Sequence, residues 1–246
     1  KMRKACMAGI GVLIGISMLA GCGKSLNADT DTVYVQKNGT VLTVDVETLD
    51  KDYYDETELK DYVTDAVSAY TEEHGKNTVK LEGLSVKDST ATLKMKYKTP
   101  EDYTGFNGIE LYEGKVVKAL AAGYDFNTDF VSVEDGKVTG TATKEEIYSG
   151  DDLKAVIIKA NRDVKVDGTI CYVSTENVKL TGADSVSIRD GYSLNSDNVS
   201  DENASGGTEN VGGSTEISDT DVNDDTAYVK DDGAFETDVY TYIIYK

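Results

Sequence analysis

Tryptophan is absent from this 246-residue chain, histidine occurs once, and cysteine occurs three times. The zinc sites and base-assisted nucleophiles that draw on imidazoles therefore have only His74 to work with. Positive charge is scarce as well. The 25 Lys and Arg stand against 45 Asp and Glu, a formal net charge of −20. Nucleic-acid binding rests on Lys and Arg neutralising phosphates, so a polyanion of this sign is excluded as a nucleic-acid binder. No P-loop, Gly-x-Ser-x-Gly or His-Glu-x-x-His pattern occurs, which removes the common hydrolase and nucleotide chemistries. What the chain does have is tyrosine, 16 of them. Tyr combines apolar area with a polar tip and suits half-buried strands.

The start of the chain carries its most specific pattern. Met2-Arg3-Lys4 precede an uncharged, mainly apolar run from Ala5 to Gly21 that ends in Leu19-Ala20-Gly21-Cys22. A basic start, an apolar segment and a small-residue cleavage site are the parts of a secretory signal peptide. The run is broken by Gly9, Gly11 and Gly15 and falls short of the roughly 20 apolar residues of a membrane span. Leu-Ala-Gly-Cys resembles the lipobox of bacterial lipoproteins, whose Cys takes a diacylglyceryl group before cleavage on its N-terminal side. The resemblance implies a signal peptide at 1–21, lipidation of Cys22, and a protein tethered to the cell membrane facing the extracytoplasmic side. Two acyl chains anchor stably where one binds marginally. Loss of Lys1, Arg3 and Lys4 with the signal would move the charge from −20 to −23. Cys6 would leave too, so Cys171 would be the one free thiol and no internal disulfide could form. The body that follows is similar in outline to small lipoproteins of Gram-positive gut bacteria, with no motif that carries a function across.

After a lipidated tether at 22–32, strand and helix periods alternate. Val33-Tyr34-Val35 and Val41 to Val46 flank Lys37-Asn38-Gly39-Thr40, and Asn-Gly between apolar runs predicts a hairpin on a type I′ turn. Leu59, Tyr62, Val63, Ala66, Val67 and Tyr70 recur at spacings of three and four, predicting a helix over 56–74 with Asp55 as cap and Gly75 as stop. Ala91, Leu93, Met95 and Tyr97 alternate with Thr92, Lys94, Lys96 and Lys98, a strand with one face to the core. A short helix is expected over 115–122. Hairpins are expected about Asp135-Gly136 and Asp167-Gly168, and the run from Leu153 to Ile158 is apolar on both faces, as a central strand requires. Between 191 and 225 the composition falls to Ser, Asn, Asp, Gly, Thr and Glu, predicting an acidic disordered loop. Val239 to Tyr245 is then the most strand-like run of all. The expected architecture is an α+β domain over 33–190, divisible near 125–130. It consists mostly of antiparallel hairpins with one long amphipathic helix on a sheet, and is completed by a hairpin over 226–246 about Asp232-Gly233.

Candidate chemistry is thin. His74 falls in the last helical turn, where a cation suits the helix dipole. Cys171 would need His74, Arg162 or Arg189 beside it to become a nucleophile, and between Ile170 and Tyr172 it reads as a small core residue. Asp219, Asp221, Asn223 and Asp225 have the alternate spacing of calcium ligands, but position six lacks Gly and position twelve lacks Glu, so a solvated acidic loop outweighs a calcium site. The row Lys94, Lys96, Lys98 reads either as a contact to anionic lipid or wall polymer, or as a guard against strand-to-strand aggregation. The expectation is therefore a non-enzymatic binding or scaffolding module at the cell envelope, with a protein or wall glycan as partner and no catalytic residue. The alternatives are a small-ligand or calcium-binding lipoprotein, which a Tyr-lined concavity would favour, and an enzyme built on Asp, Glu and Tyr alone, which a carboxylate pair in a cleft would favour.

Overall fold

The computed structural model describes residues 26–49, 55–194 and 237–246. Cys22, the set Asp219, Asp221, Asn223 and Asp225, and the expected turn at Asp232-Gly233 lie outside those residues.

β1 (Thr32–Val35) and β2 (Val41–Thr48) pair antiparallel, as the Asn38-Gly39 signal requires. The turn itself differs from type I′. Of its residues only Gly39 has positive φ (84°), and the Gln36 amide donates to the Thr40 carbonyl at 2.9 Å. This is a three-residue loop closed by a left-handed glycine. α1 (Glu56–His74) starts where the Asp55 carboxylate accepts from the Thr57 and Glu58 amides at 2.8 and 3.1 Å. β3 (Val79–Lys87) and β4 (Thr90–Tyr97) turn on Asp88 and Ser89, both at positive φ. α2 (Pro100–Asn107) has Pro in its first turn and Thr99 as its cap. β5 (Leu111–Lys115) and α3 (Val116–Ala121) follow, then the hairpin of β6 (Phe130–Glu134) and β7 (Lys137–Ala142). α4 (Lys144–Tyr148) opens on a capping box between Thr143 and Glu146 and leads into β8 (Lys154–Ile158). The remaining strands are β9 (Asp163–Val166), β10 (Ile170–Ser174), β11 (Glu176–Leu180), β12 (Ser185–Ser193) and β13 (Thr241–Tyr245).

These strands form two sheets. One has seven strands in the order β11-β12-β9-β1-β2-β4-β3, and the other has six in the order β5-β8-β13-β10-β6-β7. All pairs are antiparallel except β1 with β9. The α+β expectation is overturned: strands take 45% of the described residues and helices 22%, so the protein is mainly β. The physical reason lies in α1. Along its 19 residues only Val63 is buried, and Tyr62, placed by periodicity on the core face, is 58% exposed. Leu59, Val67 and Tyr70 merely edge the core. A helix that buries so little is an attachment to a strand-built body, not half of its architecture.

The hairpin expected at Asp167-Gly168 does not form either. β9 and β10 belong to different sheets, and this link carries the chain from one to the other. Gly168 is required there because a Cβ would stand 2.5 Å from the Lys246 carbonyl oxygen.

Val33, Val41, Met95, Val164 and Val186 of the seven-stranded sheet share one core with Val156, Ile158, Val173 and Ile243 of the six-stranded sheet. α2 touches β3 and β4 of the first sheet and β5 of the second, so it bridges the two on one side. The other face of the six-stranded sheet has its own core, where Ala155, Ile157, Tyr242 and Ile244 meet Val116 and Ala119 of α3, Ile147 of α4, and Phe126 and Phe130. Burial on both faces explains the unbroken apolar runs of β8 and β13. β13 lies between β8 and β10, in the middle of its sheet.

Candidate functional site

The residues singled out in sequence do not gather. His74 is exposed at the end of α1, stacked on Tyr70 at 4.1 Å, with the Glu73 carboxylate 3.9 Å away. Cys171 lies in β10 of the six-stranded sheet at a register shift and is half-buried. Burial pushes its thiol above the ordinary value, against a smaller opposing pull from Lys246, the reverse of what a nucleophile needs. Arg189 pairs with Asp163 at 3.2 Å. The Lys94 ammonium donates to Asn27 Oδ1 at 2.6 Å, and β4 runs between β2 and β3, so the lysine row is not an edge guard. Among the described residues no group of three or more His, Cys, Asp or Glu could hold a metal ion.

Arg162 is only 6% exposed, and its Nη1 donates to Asp45 Oδ1 at 2.5 Å. Asp31 is close by, accepting from the Val46 amide at 2.7 Å; burial raises its pKa against the lowering effect of that bond and of Arg162. The pair Asp31 and Asp45 therefore flanks a guanidinium in the inter-sheet region. Neither residue lines either of the two cavities described below.

The concavity is elsewhere, at one end of the six-stranded sheet on its outer side. Two adjoining cavities of about 410 and 390 Å³ share Glu110 as a wall. That volume falls within the ~300–1,000 Å³ typical of small-ligand pockets. Strand pairing builds the site. The Lys159 amide donates to the Glu110 carbonyl at 3.2 Å, extending the β5–β8 ladder and placing both side chains at the same end. Tyr240 and Tyr242 alternate along the approach to β13 and its first residues. Tyr124 and Asp125 come from the loop after α3.

The tyrosines are contiguous. Tyr112 and Tyr124 have ring centroids 5.1 Å apart, Tyr124 and Tyr240 meet edge to face at 5.7 Å and 90°, and Tyr240 and Tyr242 lie 6.4 Å apart. Each of two carboxylates lies against a phenol. The Tyr240 hydroxyl donates to Glu110 Oε2, and the Asp125 carboxylate faces the Tyr242 phenol closely enough to raise its pKa. Hydrogen bonding to Glu110, more than burial, pushes the Tyr240 phenol up to about 12; burial chiefly raises Tyr112, Tyr124 and Tyr242. All four rings stay neutral at ordinary pH. The Lys159 ammonium sits over the Tyr240 ring, 5.8 Å from its centroid.

The loop that delivers Asp125 is strained. Phe126 is fully buried at φ 51°, a conformation that costs a bulky residue on the order of 1–3 kcal/mol. Its ring is held 4.7 Å from Tyr242 and 5.7 Å from Tyr148, so aromatic packing offsets the strain and fixes Asp125 over the groove.

None of these groove residues carries a sequence motif, because they come from four separate stretches of chain. The signals that point toward them are the high Tyr count and the Tyr240-x-Tyr242 alternation. Comparison with protein-family models finds no match, and comparison with curated proteins and with solved structures finds no significant one.

Proposed function

We propose that the protein is a lipid-anchored binding module on the extracytoplasmic side of the membrane, held by Cys22, and that the tyrosine-lined groove is where its ligand sits. One observation carries the binding half of this reading: Tyr124, Tyr240 and Tyr242, in contact one with the next and accompanied by Glu110 and Asp125, line a concavity of small-ligand size at the end of the sheet, with Tyr112 packed behind Tyr124. Binding is favoured over catalysis because both groove carboxylates lie against phenols whose pKa values are raised. The phenols beside them are held protonated, so the tyrosines offer no base near neutral pH. The anchor rests on the Leu19-Ala20-Gly21-Cys22 pattern.

The test has two arms. Fatty-acid labelling in a bacterial host should mark the wild-type chain and leave Cys22→Ser unlabelled; equal labelling of both would remove the anchor. Thermal unfolding of the full chain should shift upward with at least one of N-acetylglucosamine oligomers, calcium chloride or choline chloride. A ligand that binds only the folded state must raise the melting temperature. The shift should vanish in Tyr124→Leu. A shift that survives this substitution would place the ligand outside the groove.

A further inference from the structure

Resting on the reading of the groove as a binding site, we infer that its ligand carries an organic cation, an alkylated amine or quaternary ammonium group, seated against Tyr124 and Tyr240 and facing Glu110 and Asp125. Three observations converge on that chemistry.

The first is the shape of the aromatic walls. Tyr124 and Tyr240 stand at 90° to one another, and Tyr112 is inclined 54° to Tyr124. A flat sugar ring is best received by a platform of coplanar faces. Rings set at steep angles offer no such platform, and the electron-rich faces and phenol oxygens they do offer suit a compact positive group.

The second is the charge of the lining. The smaller cavity has Glu110 and Asp125 in its wall, and among the described residues no Lys or Arg lines it. Glu110 spends one acceptor site on the Tyr240 hydroxyl, and Asp125 spends one on the Asn127 amide at 2.9 Å. An ionised carboxylate offers about four such sites, so both retain acceptors for a ligand. An anion placed here would meet two like charges.

The third is that the chain already places a cation on one of these rings. The Lys159 ammonium lies over Tyr240, so this ring already receives one positive charge. Lys159 lines the larger, neighbouring cavity, whereas Tyr124, Tyr240, Glu110 and Asp125 line the smaller one. Because the phenols are held neutral, and Tyr240 up to about 12, the π faces keep this character across the physiological range.

The experiment is a titration of the purified full chain with tetramethylammonium chloride and choline chloride. It is followed by calorimetry and by tyrosine emission, which the absence of Trp makes the intrinsic signal. Sodium chloride at matched ionic strength and tri-N-acetylglucosamine serve as comparison probes. Saturable binding of the ammonium probes beyond the sodium control is expected. Tyr124→Leu and Asp125→Asn should each weaken it roughly tenfold, as loss of one cation–π or charge contact predicts. Asp125→Asn keeps an acceptor for the Asn127 amide, so its melting curve should match the wild type. A response equal to that of sodium chloride, or one unchanged in both variants, overturns the inference. Binding of the saccharide without the ammonium probes also overturns it while leaving the groove as a binding site. Failure of every probe to bind counts against both.

Discussion

β8 and β13 present two faces each. Val156, Ile158, Ile243 and Tyr245 point into the inter-sheet core, whereas Ala155, Ile157, Tyr242 and Ile244 point into the core beneath α3 and α4. The inner core is dominated by Val and Ile from both sheets and closes on itself. The outer core is dominated by Phe126, Phe130 and Tyr242, and passes outward through half-buried Tyr112, Tyr124 and Tyr240 to water. The tyrosines of the inner core, Tyr97, Tyr103 and Tyr245, are buried whole, two of them with hydroxyl partners in Asn107 and Glu113. The outer core instead ends in a rim of half-buried phenols and carboxylates. The groove is therefore the wet margin of a hydrophobic core, which separates the residues that hold the fold from those that meet a ligand.

The strongest way to break this comparison is to remove the element both cores share. Deleting 237–246 takes out β13 from between β8 and β10, and should abolish cooperative thermal unfolding. A deletion that melts like the intact chain would show that neither core depends on it.

Arg162→Ala attacks the inner region alone. Removing one partner of a buried ion pair leaves Asp45 uncompensated and should cost about 3–5 kcal/mol in chemical denaturation. Tyr103→Phe works in the opposite direction. Its hydroxyl is fully buried and has no hydrogen-bond partner among the described residues, so the substitution should stabilise by about 1 kcal/mol. The same change tests alkaline behaviour. Burial holds the Tyr103 phenol up at about 12, above its ordinary value of 10.0, so its contribution is intact below pH 10 and lost as pH rises through about 12. Tyr103→Phe should make the alkaline limb of the stability profile shallower.

Asp31 gives a smaller, acid-side signature. Its raised pKa means that the folded state holds the proton more tightly than the unfolded chain does. Stability from this group is thus present below its ordinary value of 3.8 and declines as pH rises through the higher folded value. Asp31→Asn, which keeps an acceptor for the Val46 amide, should flatten that decline in urea melts across the acid range. The smallest stability effect is expected in the groove. Tyr124→Leu should change stability by less than ~0.5 kcal/mol, as for a partly exposed site, while removing the ligand response.

What could be read before the structure follows the same division. Asn38-Gly39 specified its hairpin, the two-sided apolar run at Leu153 to Ile158 marked a central strand, and Val239 to Tyr245 was legible as a strand but not as a central one, because turn chemistry and burial are written locally whereas sheet order is not. The assembly into two sheets was not legible. Asp167-Gly168 has the same turn chemistry as Asp135-Gly136, yet one crosses between sheets and the other turns a hairpin, a choice made by the strands that wait on either side. The caps at Thr99 and Thr143 carried helix-start signals that the surrounding strand pattern obscured. The class was misjudged because α1 has a helical period but little to bury. The groove was legible only as an excess of tyrosine, since Glu110, Asp125, Lys159 and Tyr240 meet through pairing of distant strands.

Amide hydrogen exchange of the full chain with and without saturating tetramethylammonium chloride tests the separation of groove from core most directly. Added protection is expected only at residues 110–112, 124–127 and 237–242, with the inter-sheet strands β1, β2 and β9 unchanged. Uniform protection across both sheets, or protection centred on Arg162 and Asp45, would contradict that separation.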